Sequence, residues 1–366
     1  MHKLVAFAGG GTGGHIYPGL AVAEELARLG GSEVEAVWLG SSRGIDRGIV
    51  EGAGMAFVGI PAGKLRRYLS LKTLADAFRV LAGYFAARAA LKRLKPALLF
   101  SKGGYASVAP VKAARSLGIP VFAHESDMSP GLATRLNAGS VDRLYVSYEE
   151  TARAFPEALR ARIRVSGQPV RPSILVGDAA RAEKVLGLRE GQRLLLVMGG
   201  SQGAAQLNDI VAGLVEAGLP EPWFILHQTG PAHYAEGMDA GKARYKALPY
   251  IGPELSDYLA RADMAMIRAG AGGLWECAAT STPMILVPLE GGATRGDQVE
   301  NAAWFEGRGG AITLRGNAAC AQRVGELLER AAADASMLES MREALRALKA
   351  GGAAASIARD ILEAIK

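Results

Sequence analysis

Short apolar runs alternate with longer amphipathic stretches along most of the chain. Runs at Leu4–Ala8, Glu35–Leu39, Ala97–Phe100, Val121–His124 and Arg143–Val146 predict buried strands. Between them lie stretches with apolar positions at helical spacing, such as Leu20–Leu29 and Ala106–Leu117. The pattern restarts at Arg193–Met198 and continues with runs at Trp223–His227, Met264–Ile267 and Met284–Val287. This alternation predicts parallel sheets covered by helices. Between the two series, Gly167-Gln168-Pro169-Val170-Arg171-Pro172 combines a glycine with two prolines and marks a boundary. The chain reads as α/β, with two doubly wound Rossmann-like domains facing across a cleft, 1–167 and 168–345. The remaining 346–366 ends in a lone amphipathic helix over Ala353–Ile365. The pattern leaves its docking open, packing back on the N-terminal domain being one option.

Composition narrows the class. A chain of 366 residues exceeds one ordinary core and fits two domains. Apolar content of 49% with 21% charged residues excludes a disordered chain. The two cysteines, Cys277 and Cys320, stand far apart, with no CxxC or HxxxH spacing. That argues against a disulfide framework or structural metal and fits a reducing cytoplasm. The first apolar run is too short for a signal peptide, and no run reaches membrane-spanning length. A net charge of +6 favours an anionic partner: nucleotide, nucleic acid or acidic lipid surface.

The candidate chemistry lies in glycine loops. Gly9, Gly11 and Gly14 satisfy GxGxxG directly after the first strand and before a helix. There, backbone amides converge at a positive helix end, the usual arrangement for phosphate. A dinucleotide site also needs an acid about twenty residues on, at the end of the second strand. That strand ends Val37-Trp38-Leu39-Gly40-Ser41-Ser42, with Glu33 and Glu35 before or at its start, so a nicotinamide enzyme loses ground. A P-loop NTPase loses more, since no GxxxxGK[ST] is present. Three further loops follow predicted strands: Ser101-Lys102-Gly103-Gly104-Tyr105, Gly199–Gly203 and Arg268–Gly273. Open α/β sheets bind ligands at these carboxyl ends.

The motifs GGGTGGH, FSKGGY, HESD, SGQPVR, GGSQGA, RAGAGGLWE and DQxxN occur in this order over nearly the whole chain. Together they resemble the MurG family of peptidoglycan N-acetylglucosaminyltransferases, glycosyltransferase family 28. The resemblance implies the glycosyltransferase B fold, with the donor UDP-N-acetylglucosamine held mainly by the second domain. It implies lipid I as acceptor and lipid II as product, in peptidoglycan biosynthesis. By the same resemblance, Thr12, Gly13 and Gly14 approach diphosphate, sugar or acceptor, and His15 is important for activity. Ser201 and Gln202 contact phosphate or nucleotide, although a serine at a helix start is often only an N-cap. Arg171 sits near the UDP diphosphate. Ala271, Gly272 and Gly273 form the second donor loop. Glu276 is placed in the first turn after these glycines, where it accepts from the ribose hydroxyls or merely faces the helix dipole. Ile251 reads the uracil edge through its backbone. Gln298 and Asn301, three apart on one helical face, contact the donor sugar. The commoner family sequence His-Glu-Gln-Asn is here His124-Glu125-Ser126-Asp127. An ionised Asp127 cannot donate the amide bond of an asparagine.

No Asp-x-Asp occurs, which fits a metal-independent transfer without cofactor. The expected reaction is a single inverting displacement, with His15, Glu125 and Asp127 as base candidates in that order. His15 is expected at the helix start, where the dipole keeps it neutral. Competing readings are a UDP-sugar transferase with another lipid acceptor, a UDP-N-acetylglucosamine epimerase, and a nucleotide-sugar sensor. Finally, Lys64–Lys95 carries nine basic residues against the single acid Asp76, more than the net charge of the chain. Leu74, Phe78, Leu81 and Phe85 recur at helical spacing beside them. The stretch is either a helix packed on its own sheet or a peripheral contact with the anionic cytoplasmic leaflet. Nucleic acid is not expected as a partner, since no recognition motif accompanies the charge.

Overall fold

The computed structural model describes residues 2–63, 71–200, 202–291 and 296–366, with backbone alone over 71–77. Chain contacts divide it into two compact units, Met1–Arg171 with Gly351–Lys366, and Pro172–Ala350.

The first unit is a seven-stranded parallel sheet. Its strands are β1 Lys3–Gly9, β2 Val34–Ser41, β3 Ala56–Ile60, β4 Leu98–Gly103, β5 Val121–Glu125, β6 Arg143–Val146 and β7 Ile163–Val165. They run in the order β3-β2-β1-β4-β5-β6-β7. The central strands are apolar throughout because helices cover both faces. Val5, Phe7, Trp38, Leu98 and Phe100 form one core layer, while Ala6, Leu39, Leu99 and Val121 form the opposite one. The C-terminal helix Ala353–Ala364 docks on the helix Tyr17–Gly30. It inserts Ile357 and Ile361 into the layer with Phe7 and Trp38. Full burial of each is worth about 1.5–3 kcal/mol. Asp360 fixes the register, accepting from the Tyr145 hydroxyl at 2.7 Å and pairing with Arg143 at 2.9 Å.

The second unit repeats the plan with six parallel strands in the order β10-β9-β8-β11-β12-β13. They are β8 Arg193–Met198, β9 Trp223–Gln228, β10 Tyr245–Leu248, β11 Met264–Ile267, β12 Met284–Leu286 and β13 Ala311–Thr313. Leu195, Val197, Trp223 and Met266 pack under the helices Ala205–Ala217 and Ala321–Ala333. The buried Trp223 indole donates to the Leu328 carbonyl at 2.8 Å, so its one polar group is satisfied. In each unit the strand order reverses beside the first strand. That switch point lies between β1 and β4 in the first unit and between β8 and β11 in the second. The four glycine loops are the connections leaving these four strands.

Candidate active site

In the first unit several of the loop glycines are demanded by neighbouring chain. A Cβ on Gly10 would run into the Asp46 carboxylate, and one on Gly11 into the Tyr105 ring. A Cβ on Gly104 would meet the Gly10 carbonyl oxygen and the His15 ring. The loops after β1 and β4 therefore cross in near contact. Asp46, fully buried, accepts from the Gly11 and Ser41 amides, each at 2.9 Å. It braces the first loop against the end of β2. Gly14 differs: a Cβ there would find only the Thr12 hydroxyl at 3.8 Å. Thr12 and Gly14 are exposed.

His15 is not at the start of a long helix, as expected, but in a single 3-10 turn, Gly13–His15, that precedes the helix Tyr17–Gly30. Its amide is already used, donating to the Thr12 carbonyl at 3.0 Å. Pro18 at the second helical position explains the break, since it suits a first turn and no later one. The His15 ring lies along Gly103 and Gly104, and its Nδ1 is shut off from solvent.

Glu125 ends β5 and is buried. Its Oε1 accepts from the Ser126 amide at 2.8 Å and the Asp127 amide at 3.1 Å, and its Oε2 from the Gly131 amide at 2.9 Å. A carboxylate holding three amides organises a loop. Of the two carboxylates named as base candidates, Glu125 thus holds the loop together, and Asp127 lies half-buried beside it. Arg171 closes the first unit, with its guanidinium over the Tyr17 ring at 5.1 Å from the centroid. A Cβ on Gly13 would touch the same ring at 3.0 Å, which puts Arg171 near the first glycine loop.

In the second unit, Gly203 and Gly230 permit a second crossing. A Cβ on Gly203 would strike the Thr229 carbonyl oxygen, and one on Gly230 the carbonyl oxygen of Gln202. Both have positive φ, +78° and +88°, so a side chain would be strained as well as crowded. Buried polar groups hold this crossing. Asn208 donates to the Thr229 carbonyl at 3.1 Å and accepts from His227 Nε2 at 3.0 Å. His227 Nδ1 therefore accepts from the Tyr245 hydroxyl, 3.1 Å away. Burial pushes the His227 pKa down to about 4, which keeps this neutral tautomer. Gln228 donates to the Gly200 carbonyl at 2.8 Å and accepts from the Ile251 amide at 2.9 Å. Ile251 is thus a buried residue whose backbone is fixed to the glycine loop. Gln202 is exposed; Ser201 lies outside the described residues. The helix that follows starts at Ala205 with Ala204 as its N-cap, so position 201 is too early to cap it.

The fourth loop leads into the helix Ala271–Ala279, capped by Gly270. Ala271, Gly272 and Gly273 form its first turn, so Glu276 falls in the second turn rather than the first. A Cβ on Gly270 or Gly272 would meet nothing within 4 Å. The φ of Gly270 is an ordinary −76°. Neither strain nor crowding calls for glycine there. What remains is room at a helix end whose first amides lack intrahelical acceptors. Glu276 is half-buried. Arg268, at the other end of the loop, donates to Gln206 Oε1 at 2.8 Å and to the Val287 carbonyl at 2.9 Å. Asn301 is fully buried and donates to the Ala269 carbonyl at 3.3 Å. Gln298 Oε1 accepts from the Leu289 amide at 2.9 Å. Both amides on the helix Asp297–Glu306 thus shape the strand-end loops.

Comparison with known proteins matches these two units to two domain families. Residues 5–146 match the glycosyltransferase family 28 N-terminal domain, and residues 194–361 match the glycosyltransferase family 28 C-terminal domain. A protein of Treponema pallidum is 44% identical over 372 residues, covering 100% of this chain and 96% of its own length. The chain belongs to glycosyltransferase family 28. The T. pallidum relative is named UDP-N-acetylglucosamine--N-acetylmuramyl-(pentapeptide) pyrophosphoryl-undecaprenol N-acetylglucosamine transferase. A Treponema denticola protein of the same name is 44% identical over 332 residues, covering 86% of this chain and 84% of its own. Among solved structures, Acinetobacter baumannii MurG superposes with a TM-score of 0.75 at 23% identity over 99% of both chains. It has the same two-unit fold.

Within this family 28 chain, sequence reasoning missed Asp46, Lys102, Gln228 and Arg268. None belongs to a spacing rule. For Lys102, Gln228 and Arg268 the available signal was a polar residue at or just past the carboxyl end of an apolar strand; Asp46 instead opens the short helix Asp46–Gly52 after β2.

Proposed function

We propose that this chain transfers N-acetylglucosamine from UDP-N-acetylglucosamine to the muramoyl 4-hydroxyl of lipid I, forming lipid II and UDP. The acceptor oxygen bonds to the anomeric carbon while the bond to the diphosphate oxygen breaks on the opposite face. A base takes the hydroxyl proton, and UDP leaves with the bonding pair. The observation that carries this reading is the open helix end at Gly270 and Gly272, with space where side chains would sit. Its amides and dipole suit the charge that grows on the departing diphosphate. Incubation with UDP-N-acetylglucosamine and lipid I, followed by product analysis, tests it. Lipid II with stoichiometric UDP is expected. An isomerised free sugar formed without lipid, or transfer to diacylglycerol alone, would replace this reading.

Glu276 is assigned to the ribose hydroxyls, supported by its half-buried place one turn beyond the open helix end. Glu276→Ala should weaken donor binding by about 1.5–3 kcal/mol, the range for a hydrogen bond to a charged group. Calorimetric titration of the folded variant with UDP-N-acetylglucosamine checks this; parental affinity would remove Glu276 from the site.

The protein is further proposed to work as a peripheral enzyme on the anionic cytoplasmic face of the membrane, in cell-wall assembly. Lys64, Arg66 and Arg67 lie outside the described residues, but the helix Leu71–Leu94 supports the reading. Gly83, Ala87, Ala90 and Leu91 face the protein. Phe78, Leu81 and Phe85 are 66%, 53% and 62% exposed, and Arg88 and Lys92 continue their stripe. Apolar rings flanked by cations suit a headgroup boundary better than water. No helix among the described residues is long and apolar enough to cross a membrane. In liposome sedimentation, Phe78→Ser/Phe85→Ser should lose most binding to vesicles with 30% anionic lipid (about 2 kcal/mol or more of apolar burial). Unchanged binding would place the contact elsewhere.

A further inference from the structure

The turn Thr229-Gly230 crosses the loop Gly199–Gly203 backbone to backbone, since Cβ atoms on Gly203 and Gly230 would strike the carbonyl oxygens of Thr229 and Gln202. By the family resemblance, this loop reaches phosphate or nucleotide. The amides of the turn tie it to the chain leaving β10. Thr229 donates to the Leu248 carbonyl at 3.0 Å and Gly230 to the Pro249 carbonyl at 3.1 Å. The loop runs on into the helix Ala205–Ala217. From near the start of that helix, Asn208 reaches back and donates to the Thr229 carbonyl at 3.1 Å. The bond joins the far end of the loop to the turn that it crosses.

The direction of each proton behind that bond is fixed in turn. A carbonyl only accepts, so Asn208 Nδ2 faces Thr229 and its Oδ1 faces His227. Oδ1 also only accepts, so His227 Nε2, 3.0 Å away, carries the ring proton. Nδ1 is then bare and takes the Tyr245 hydroxyl proton at 3.1 Å. The ring stays neutral because burial holds its pKa down at about 4. Tyr245 keeps its proton to give, since burial and then the Asp239 carboxylate push the phenol up to about 12. His227 and Tyr245 are both buried, so a lost partner leaves an unsatisfied polar group inside the protein. The Tyr245 hydroxyl lies three hydrogen bonds from the Thr229 carbonyl. We propose that Tyr245 is a positioning residue for the donor, holding the Thr229-Gly230 turn against the Gly199–Gly203 loop through His227 and Asn208. Without its hydroxyl, Nδ1 is buried with no donor, and the ring gains by reorienting, which releases Asn208 from its fixed place.

The role in donor binding rests on the transfer reaction proposed above, whereas the hydrogen-bonded chain does not. Tyr245→Phe removes one oxygen and keeps the ring. In calorimetric titration it should bind UDP-N-acetylglucosamine roughly three- to tenfold more weakly, the effect of one neutral hydrogen bond. The KM for lipid I should stay within about twofold, a split that general loosening of the fold would not give. Asn208→Asp keeps the acceptor for His227 but cannot donate to Thr229, so it should weaken the donor at least as much. The double variant should be no worse than Asn208→Asp, because both changes break one chain. Imidazole 15N correlation spectra of the parent near neutral pH should show His227 protonated at Nε2 alone. Exchange of the Gly203 amide, which donates to the Gly200 carbonyl at 3.0 Å, should rise in Tyr245→Phe. Parental donor affinity in folded Tyr245→Phe, additive losses in the double variant, or a His227 proton on Nδ1 would overturn the proposal. If Tyr245→Phe does not fold, Asn208→Asp and the parental ring spectrum carry the test. If the parent binds no UDP-N-acetylglucosamine, the donor assignment fails, while the ring spectrum and amide exchange still decide the chain.

Discussion

His15→Ala should lower turnover by about 10²–10⁴-fold at saturating substrates, the range for loss of a general base. Binding of UDP-N-acetylglucosamine should survive, because the open helix end and Glu276 belong to the second unit. The expectation rests on where the ring is held. Gly103 and Gly104 flank it, and any side chain at 104 would collide with the imidazole or with the Gly10 carbonyl. Nδ1 is closed off from solvent, so a proton from a substrate hydroxyl would have to arrive at Nε2. A neutral imidazole accepts a proton there without first losing one. Turnover and donor titration on the same preparation decide the matter. If His15→Ala keeps near-parental turnover while Asp127→Asn loses it, the carboxylate is the base and the ring only packs the two loops.

The interior of both sheets was legible because it is continuous apolar chain. The nine runs read from the sequence correspond to β1, β2, β4, β5, β6, β8, β9, β11 and β12. The four strands left unread, β3, β7, β10 and β13, are the outermost strands of the two sheets. Two of them keep no uninterrupted apolar run, as suits half-solvated edges: Ile163–Val165 is largely exposed, and Tyr245–Leu248 alternates with the exposed Lys246. Ala56–Ile60 is apolar throughout, but only Ile60 is fully buried. The glycine loops were legible as motifs, but their reasons were not. Sequence cannot separate Gly10 and Gly203, which make room for the chain itself, from Gly270 and Gly272, beside which there is open space. The same holds for carboxylates. Glu125 and Asp127 look alike as base candidates until the loop amides are located.

That distinction gives the second large effect. Glu125→Ala should destabilise the protein by roughly 3–5 kcal/mol, since each of three amide bonds to a charged acceptor is worth about 1.5–3 kcal/mol before water re-enters. Glu125→Gln is the sharper variant. Its amide oxygen can still take the Ser126 and Asp127 amides, but its NH2 then faces the Gly131 amide, donor against donor. It should lose roughly 1.5–3 kcal/mol, the value of one such bond. Its turnover at low temperature, where the fold is retained, should stay within tenfold of the parent. A base would behave in the opposite way, keeping its unfolding midpoint in Glu125→Gln while turnover collapsed. Urea unfolding and steady-state transfer on the two variants separate these cases. Because Gly131 begins the turn into the helix Leu132–Asn137, the damage should spread along that segment. Amide exchange there should rise in Glu125→Gln while the Asp46-braced loop at Gly11 keeps its protection.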